Sequence, residues 1–534
     1  MSEQTSSRAP HPGEPYYITT AIDYVNARPH LGHAYEKIAT DVMARYQRLR
    51  GRDVFFLTGT DEHGTKVEKT ALDQGLAPKA YVDGIADSFR STWEYLGLTH
   101  DRFIRTTDTD HYALVSTIWQ RLVDKKLIDK ASYEGQYCTG CEAFLAKRDL
   151  TDDGLCHIHR KAPDTVTEEN YFFKLSAFKD QLAAHIQANP QFILPAFRAQ
   201  EVLKMLENVE DISVSRPVSS VSWGIPVPGD DSQVIYVWID ALSNYLTGIG
   251  CFTDDALFNR YWGTDSDPRA VHVIGKDILR FHAIYWPAIL LGAGLPLYKT
   301  LFVHGFINLN DAKISKSLGN VISVQDLVAR YELQNPDAVR YYLMSVATFG
   351  YDGNFTDDDF KTRINADLAN NLGNLLNRTL NMTQKYFDGR IPDGAVTQTA
   401  EDITAAIAPI ADSYEQFSFQ TALAQILEKV DAANKTINEA EPWTLHKEGR
   451  LDELARVMRS VLGTLRQVAI LISPVTPLLA QQIWEQLGYA GPLAGQTWED
   501  IAANPIPVGQ AICLKGPILP RLESELAGSA KHKK

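Results

Sequence analysis

Over its first hundred residues the chain alternates between strand-like and helix-like patterns of apolar positions. Tyr16-Tyr17-Ile18-Thr19-Thr20-Ala21-Ile22 is aromatic and β-branched and predicts a strand, and Asn26-Ala27-Arg28-Pro29 predicts a turn. Beyond His33, the residues Ala34, Ile38, Val42, Tyr46 and Leu49 recur on one helical face, with Gly51 placed to cap the C-terminus. The apolar run Val54-Phe55-Phe56-Leu57 predicts a second strand, Thr58 to Gly64 a loop, and another helix follows. Such a β–α–β succession predicts a parallel sheet with crossover helices, in which ligands bind at the carboxyl ends of strands. Both "HLGH" (His30 to His33) and "TGTDEHG" (Thr58 to Gly64) fall at such ends.

A second β-then-helix unit appears only at Val271 to Gly275 and Asp277 to Leu291. The intervening stretch, with its cysteines and Pro/Gly turns, therefore reads as an insertion into a split sheet. After about Lys361 long helical patterns dominate, which predicts a separate bundle. The expected class is α/β: a split, Rossmann-like parallel sheet over 1–125 and 231–300, a connective insertion over 126–230, a linking region over 301–360, and a helical domain over 361–534.

At 534 residues and 45% hydrophobic content, the chain has material for about two to four domains. The polar, Ser- and Pro-containing start lacks the apolar core of a signal peptide. The most apolar stretch, Ala283 to Leu297, is broken by Pro and Gly and falls short of the roughly 20 residues that span a bilayer. A soluble, cytoplasmic protein without a membrane role is expected. The formal charge of −14 argues against coating a nucleic acid through bulk electrostatics, so any polyanion must be met by placed residues, and DNA is not an expected partner.

Three of the five cysteines crowd into one segment, as Cys138-Thr-Gly-Cys141 and Cys156-His-Ile-His159. A Cys-x-x-Cys followed by Cys-x-x-His supplies four ligands for tetrahedral zinc, with His157 as a substitute for one of them. Four protein ligands leave no open position, so the role expected is structural, with one zinc per chain.

"HLGH" lacks the His-Glu-x-x-His spacing of a zinc protease. A pair of structural histidines is one reading. A phosphate site is the other, because Gly32 lets backbone approach a ligand and a helix N-terminus offers amides and a positive dipole end. "GTDEHGTK" lacks the Gly-Lys-Ser/Thr ending of a P-loop. "KISKS", Lys313 to Ser317, follows a strand-like stretch at Leu301 to Ile307. Its two lysines are suited to closing over a triphosphate.

Together "HLGH" and "KISKS" resemble the signatures of the class I aminoacyl-tRNA synthetases. "AIDYVNARPHLGHAYEKIATD", "GTDEHGTK", "YVWIDALSNY", "GKDILRFH" and "EPW" narrow the resemblance to the methionyl-tRNA synthetases, over residues 21 to 443. Departures are Leu31, Ile314 and Leu242, where members carry Ile, Met and, in some, Pro. The resemblance implies that methionine is activated by ATP to methionyl-adenylate and then transferred to the terminal ribose of methionine tRNA. It implies catalytic roles for His30, His33, Lys313 and Lys316, ATP contacts from Gly32, Gly275, Asp277 and Lys316, and magnesium accompanying ATP. It places methionine against Ala21, Ile22, Tyr24, Trp238, Ala241, Tyr245, Ile278 and His282, with Asp61 as a candidate for the ammonium. Asn374, Arg378 and Trp443 match the anticodon contacts, which makes the helical domain an anticodon-binding bundle. No added oligonucleotide-binding barrel follows it, so a monomer is expected.

Overall fold

The computed structural model describes residues 13–139, 143–145, 149–236, 238–313, 321–396 and 398–523. Its contacts divide the chain into two compact units. One comprises Pro15–Pro29 and Phe55–His304; the other comprises Met1–Glu14, His30–Val54 and Gly305–Lys534.

The first unit is built on a sheet of seven strands. These are β1 (Pro15–Thr20), β2 (Asp23–Tyr24), β3 (Asp53–Asp61), β4 (Arg102–Arg105), β8 (Ile193–Leu194), β9 (Ala270–Gly275) and β10 (Thr300–His304), with β5 to β7 in the insertion described below. The order is β2-β3-β1-β9-β10-β8, and β4 also pairs with β3. β1 runs parallel to β9, β9 to β10 and β10 to β8, while β3 is parallel to both β2 and β4. The chain leaves β1 toward β3 on one side and toward β9 on the other. That reversal is the switch point at which open α/β sheets bind ligands.

The expected loop at Thr58 to Gly64 is largely strand, because β3 continues to Asp61. Its β-branched Thr58 and Thr60 are fully buried and pair with Phe103 and Arg105 of β4. Gly59 between them is required, since a Cβ there would stand 2.0 Å from the carbonyl oxygen of Ile104. Leu301 to Ile307 is likewise corrected, as β10 ends at His304 and pairing resumes only at Ile307.

The insertion contributes antiparallel pairing: β5 (Ile128–Cys138) runs between β6 (Ala143–Leu145) and β7 (Asp164–Phe173). The first unit's core joins Leu57 and Ile104 with Trp119, Trp262 and Trp286, all essentially inaccessible.

In the second unit, α1 (Leu31–Leu49) carries the expected apolar face, with Ala34, Ile38, Val42 and Tyr46 fully buried. Its polar face is buried too, which one-face periodicity does not predict. The Asp41 carboxylate accepts from Arg45 Nε at 2.8 Å and from Arg340 Nη2 at 2.7 Å, and Arg340 also donates to the carbonyls of Pro474 and Val475. Tyr46 stacks on Tyr414 and the Trp498 amide donates to the Leu49 carbonyl. The helix is therefore built into the unit by paired charges as well as by apolar contact.

Around it lie α2 (Asp337–Ser345), α3 (Asn374–Phe387), α4 (Ala400–Glu415), α5 (Phe419–Ala440), α6 (Pro442–Lys447), α7 (Leu451–Ile472) and α8 (Pro477–Gln486). A small sheet joins β11 (Ile307–Leu309), β12 (Ala312–Lys313) and β13 (Gly353–Phe355). The β11–β12 hairpin turns through Asn310 and Asp311, at φ 49° and 63°, the pair of left-handed residues a two-residue hairpin needs.

Candidate active site

His30 is the N-cap of α1, in extended backbone, and its Nδ1 accepts from the Gly32 amide at 3.1 Å. His33 answers reciprocally, its Nδ1 accepting from the His30 amide at 3.1 Å. The two rings lie 3.8 Å apart. An Nδ1 that accepts in a neutral imidazole puts the proton on Nε2, so both residues are held as Nε2–H donors. Burial, then the neighbouring His30 and Lys37, hold His33 well below the usual histidine range, which keeps it neutral. Gly32 is fixed by the same geometry, because a Cβ would meet His30 Cε1 at 2.9 Å.

The amide of Leu31, the first residue of α1, donates to the Ile322 carbonyl at 2.9 Å. Ile322 follows the lysine-bearing stretch closely in sequence. Lys316 lies outside the described residues; Lys313 closes β12, its backbone opposite Asn308.

Of the expected methionine residues in the first unit, Ala21 and Ile22 directly follow β1, Asp61 ends β3 and Ile278 follows β9 by three residues. Ala21 and Tyr245 belong to the core, and half-buried Ile22, Trp238 and Ile278 pack against it. Tyr245 is held at both ends, its hydroxyl 2.7 Å from His282 Nε2 and its carbonyl accepting from Tyr17 Oη at 2.7 Å. His282 lies in a π-helical stretch, Phe281–Tyr285, with Nδ1 3.0 Å from the Ile278 carbonyl. Such a bulge re-aims side chains and recurs at functional sites. Trp238 stacks on Phe281 at 3.4 Å, a partner that the sequence reading missed; its signal was its place beside His282 in "GKDILRFH".

Tyr24 is the register partner of Asp61 across β2 and β3, but its ring packs against a separate cluster of Val25, Val67, Ala71, Tyr81 and Val82. Ala241 is buried in the short helix Trp238–Leu242. Gly275 ends β9, and a Cβ there would meet Asp277 Oδ1 at 2.8 Å, so glycine lets the exposed Asp277 carboxyl fold over the backbone.

In the insertion, Cys138, Cys156 and His159 converge. His159 Nδ1 is 3.8 Å from each sulfur, and the three ligand atoms lie within 4.8 Å of one another. Tetrahedral zinc with sulfur at about 2.3 Å and nitrogen at about 2.0 Å demands a ligand edge of about 3.5 Å. The donor set therefore fits the ion. Cys141 lies outside the described residues, and His157 is not among the converging groups.

In the helical bundle, Asn374 is exposed near the start of α3, and Arg378 Nη2, one turn on, donates to Asn438 Oδ1 at 3.1 Å. Trp443, just inside α6 after Pro442, is 46% exposed, unlike a core tryptophan. Asn370 and Asn377 line a groove with Asn374 and Arg521. Their recurrence at helical spacing was the signal that the sequence reading passed over.

A family model described as tRNA synthetases class I (M) matches residues 16–156 and 149–380, and an anticodon-binding domain of tRNA ligase matches residues 401–514. The methionine–tRNA ligase of Caldanaerobacter subterraneus subsp. tengcongensis is 42% identical over 526 residues, covering 97% of this chain and 80% of the relative. That of Enterococcus faecalis is 44% identical over 532 residues, with 96% and 78% covered. Among solved structures, the methionyl-tRNA synthetase of Mycobacterium tuberculosis in complex with methionyl-adenylate superposes with a TM-score of 0.87 at 39% identity. It covers 95% of this chain and 100% of that one.

Proposed function

The chain belongs to the class I methionyl-tRNA synthetases, and from that premise we propose which of its residues carry the two steps of the reaction. It is a ligase that activates methionine with ATP and transfers the methionyl group to its tRNA. In the first step the methionine carboxylate attacks the α-phosphorus and pyrophosphate leaves. An ionised carboxylate needs no general base, so the protein's task is to position the reactants and stabilise charge on phosphate oxygens. His30 and His33, fixed as neutral Nε2–H donors over the N-terminus of α1, supply that stabilisation, and this reciprocal capping is the observation that carries the reading. Lys313 and Lys316 hold the pyrophosphate side, and Gly32, Gly275 and Asp277 contact ATP. Magnesium supplies counter-charge to the ATP phosphates when bound.

Asp61 takes the methionine ammonium. The thioether is only a weak acceptor, so selectivity rests on shape and sulfur–aromatic contact among Ala21, Ile22, Tyr24, Trp238, Ala241, Tyr245, Ile278 and His282. In the second step the terminal ribose hydroxyl of tRNA attacks the methionyl carbonyl and AMP leaves. Asn374, Arg378 and the exposed Trp443 read unpaired anticodon bases by planar hydrogen bonds and stacking. Zinc held by Cys138, Cys141, Cys156 and His159 cross-links the insertion. We further propose the fivefold division of the chain given by its sequence, a monomer, and residence in the cytoplasm; among the described residues no helix is long and apolar enough to cross a membrane.

The test is ATP–pyrophosphate exchange measured with each of the amino acids in turn. Exchange with methionine alone, reduced at least tenfold in methionine affinity by Asp61→Asn, is expected. Exchange driven by leucine or cysteine instead would overturn the pocket assignment.

A further inference from the structure

The segment that ends β3 turns two side chains inward that have no part in the roles above. Glu62 is fully buried and accepts from Arg105 Nε at 2.6 Å and Nη2 at 2.8 Å, and from the hydroxyls of Thr60 and Thr107, each at 2.6 Å. His63 turns the other way. Its Nδ1 is 2.7 Å from Asp240 Oδ2, and its Nε2 is 3.0 Å from the Tyr112 hydroxyl. The second oxygen of Asp240 is 2.9 Å from His111 Nε2, and His111 Nδ1 is 2.9 Å from Thr247 Oγ1. Asp240 and His111 are at most 1% exposed, and His63 is 4% exposed.

The buried Asp240 carboxylate thus has an imidazole on each oxygen, and the Thr247 hydroxyl, itself 3.1 Å from the Ser243 carbonyl, holds the far side of His111. Burial acts to raise the Asp240 carboxyl, and the two imidazoles override it, holding it at about 2.

This triad joins two pieces of the proposed methionine pocket. His63 follows Asp61 by two residues; Asp240 lies between Trp238 and Ala241 on one short helix. Charge-assisted bonds at these lengths are strong and directional, and a buried charge stripped of its partner is costly.

We propose that Asp240 is a positioning residue for methionine: by clamping His63 it fixes the strand end that carries Asp61 against the helix that carries Trp238 and Ala241. The proposal rests on the pocket reading above and adds to it the device that sets the pocket's dimensions. Asp240 itself touches no reacting atom.

The experiment measures methionine and ATP KM in pyrophosphate exchange, normalised to titrated active sites, for wild type, Asp61→Asn, Asp240→Asn, His63→Leu and His63→Asn. Asp240→Asn and His63→Leu should raise methionine KM tenfold or more while ATP KM stays within twofold. His63→Asn should stay within threefold of wild type for methionine, because its amide nitrogen stands where Nδ1 stood. Should Asp240→Asn fail to fold, the His63 pair decides alone. A merely structural triad lowers the active fraction and leaves methionine KM unchanged, which overturns the proposal, as does an equal rise in both His63 variants. If Asp61→Asn leaves methionine KM unmoved, the pocket reading itself falls; if only Asp61→Asn moves it, the clamp alone falls.

Discussion

Asp337 has no part in the chemistry, and its surroundings show how much one buried carboxyl can weigh. One oxygen accepts from the Leu479 amide at 2.7 Å; the other is buried and, among the described residues, meets no hydrogen-bond partner. Burial raises its pKa to about 6, against the lowering pull of Arg340. Because the folded value lies above the unfolded one, the fold favours the protonated acid. That contribution is complete below about pH 4 and is lost as pH rises through 6. Asparagine imitates the protonated form, with an amide nitrogen where the unpartnered oxygen sits. Asp337→Asn is therefore expected to melt higher than wild type at pH 8, by up to about 3 kcal/mol, with the gap shrinking toward pH 4. Melting curves of the two proteins from pH 4 to 8 check it. A gap that does not change with pH, or a less stable variant at pH 8, contradicts the assignment. No sequence pattern marks Asp337, because its state depends on a helix terminus more than a hundred residues away.

At the scale of elements, helix α1 and the strands β1 and β9 were legible because their signals are local. The period of Ala34, Ile38, Val42 and Tyr46 and the cap position of His30 depend on neighbours in sequence. What escaped was contact across long separations: the extension of β3 through Thr58 to Asp61, the pairing of Asp41 on the polar face of α1 with Arg340, and the pairing of His63 with Asp240. In each case a residue that looks solvated alone is buried because a charge or a strand edge arrives from elsewhere in the chain. The insertion is the opposite case, since spacing alone put three of the four proposed ligands where the structure gathers them. Metal binding supplies folding energy to such small elements. We expect one tightly held zinc per chain, lost on Cys156→Ser, with the insertion loosening first and the parallel sheet retained. Metal analysis beside hydrogen exchange of residues 128–173 tests this; equal zinc in both proteins means the knuckle is built otherwise.

At the scale of the whole molecule, the proposed roles put adenylate formation and anticodon reading on different residues of one chain, and the two should fail independently. His33→Ala removes a fixed donor aimed at phosphate charge, a loss that costs on the order of 10²–10³ in rate. Trp443→Ala removes one base–aromatic stack, about 1–3 kcal/mol of tRNA interaction, and involves no step before tRNA binds. Because Trp443 is nearly half exposed, its loss should spare the roughly 3–5 kcal/mol that a core tryptophan would take with it. The most direct measurement is methionine-dependent pyrophosphate exchange, aminoacylation and thermal unfolding on the same preparations of the two variants and wild type. Expected are normal melting in Trp443→Ala with loss of aminoacylation alone, and in His33→Ala loss of exchange and aminoacylation together, with no more than the roughly 0.5–2 kcal/mol of stability that a lost helix cap takes. Near-normal exchange in His33→Ala, or early melting with parallel loss of both activities in Trp443→Ala, would contradict these roles.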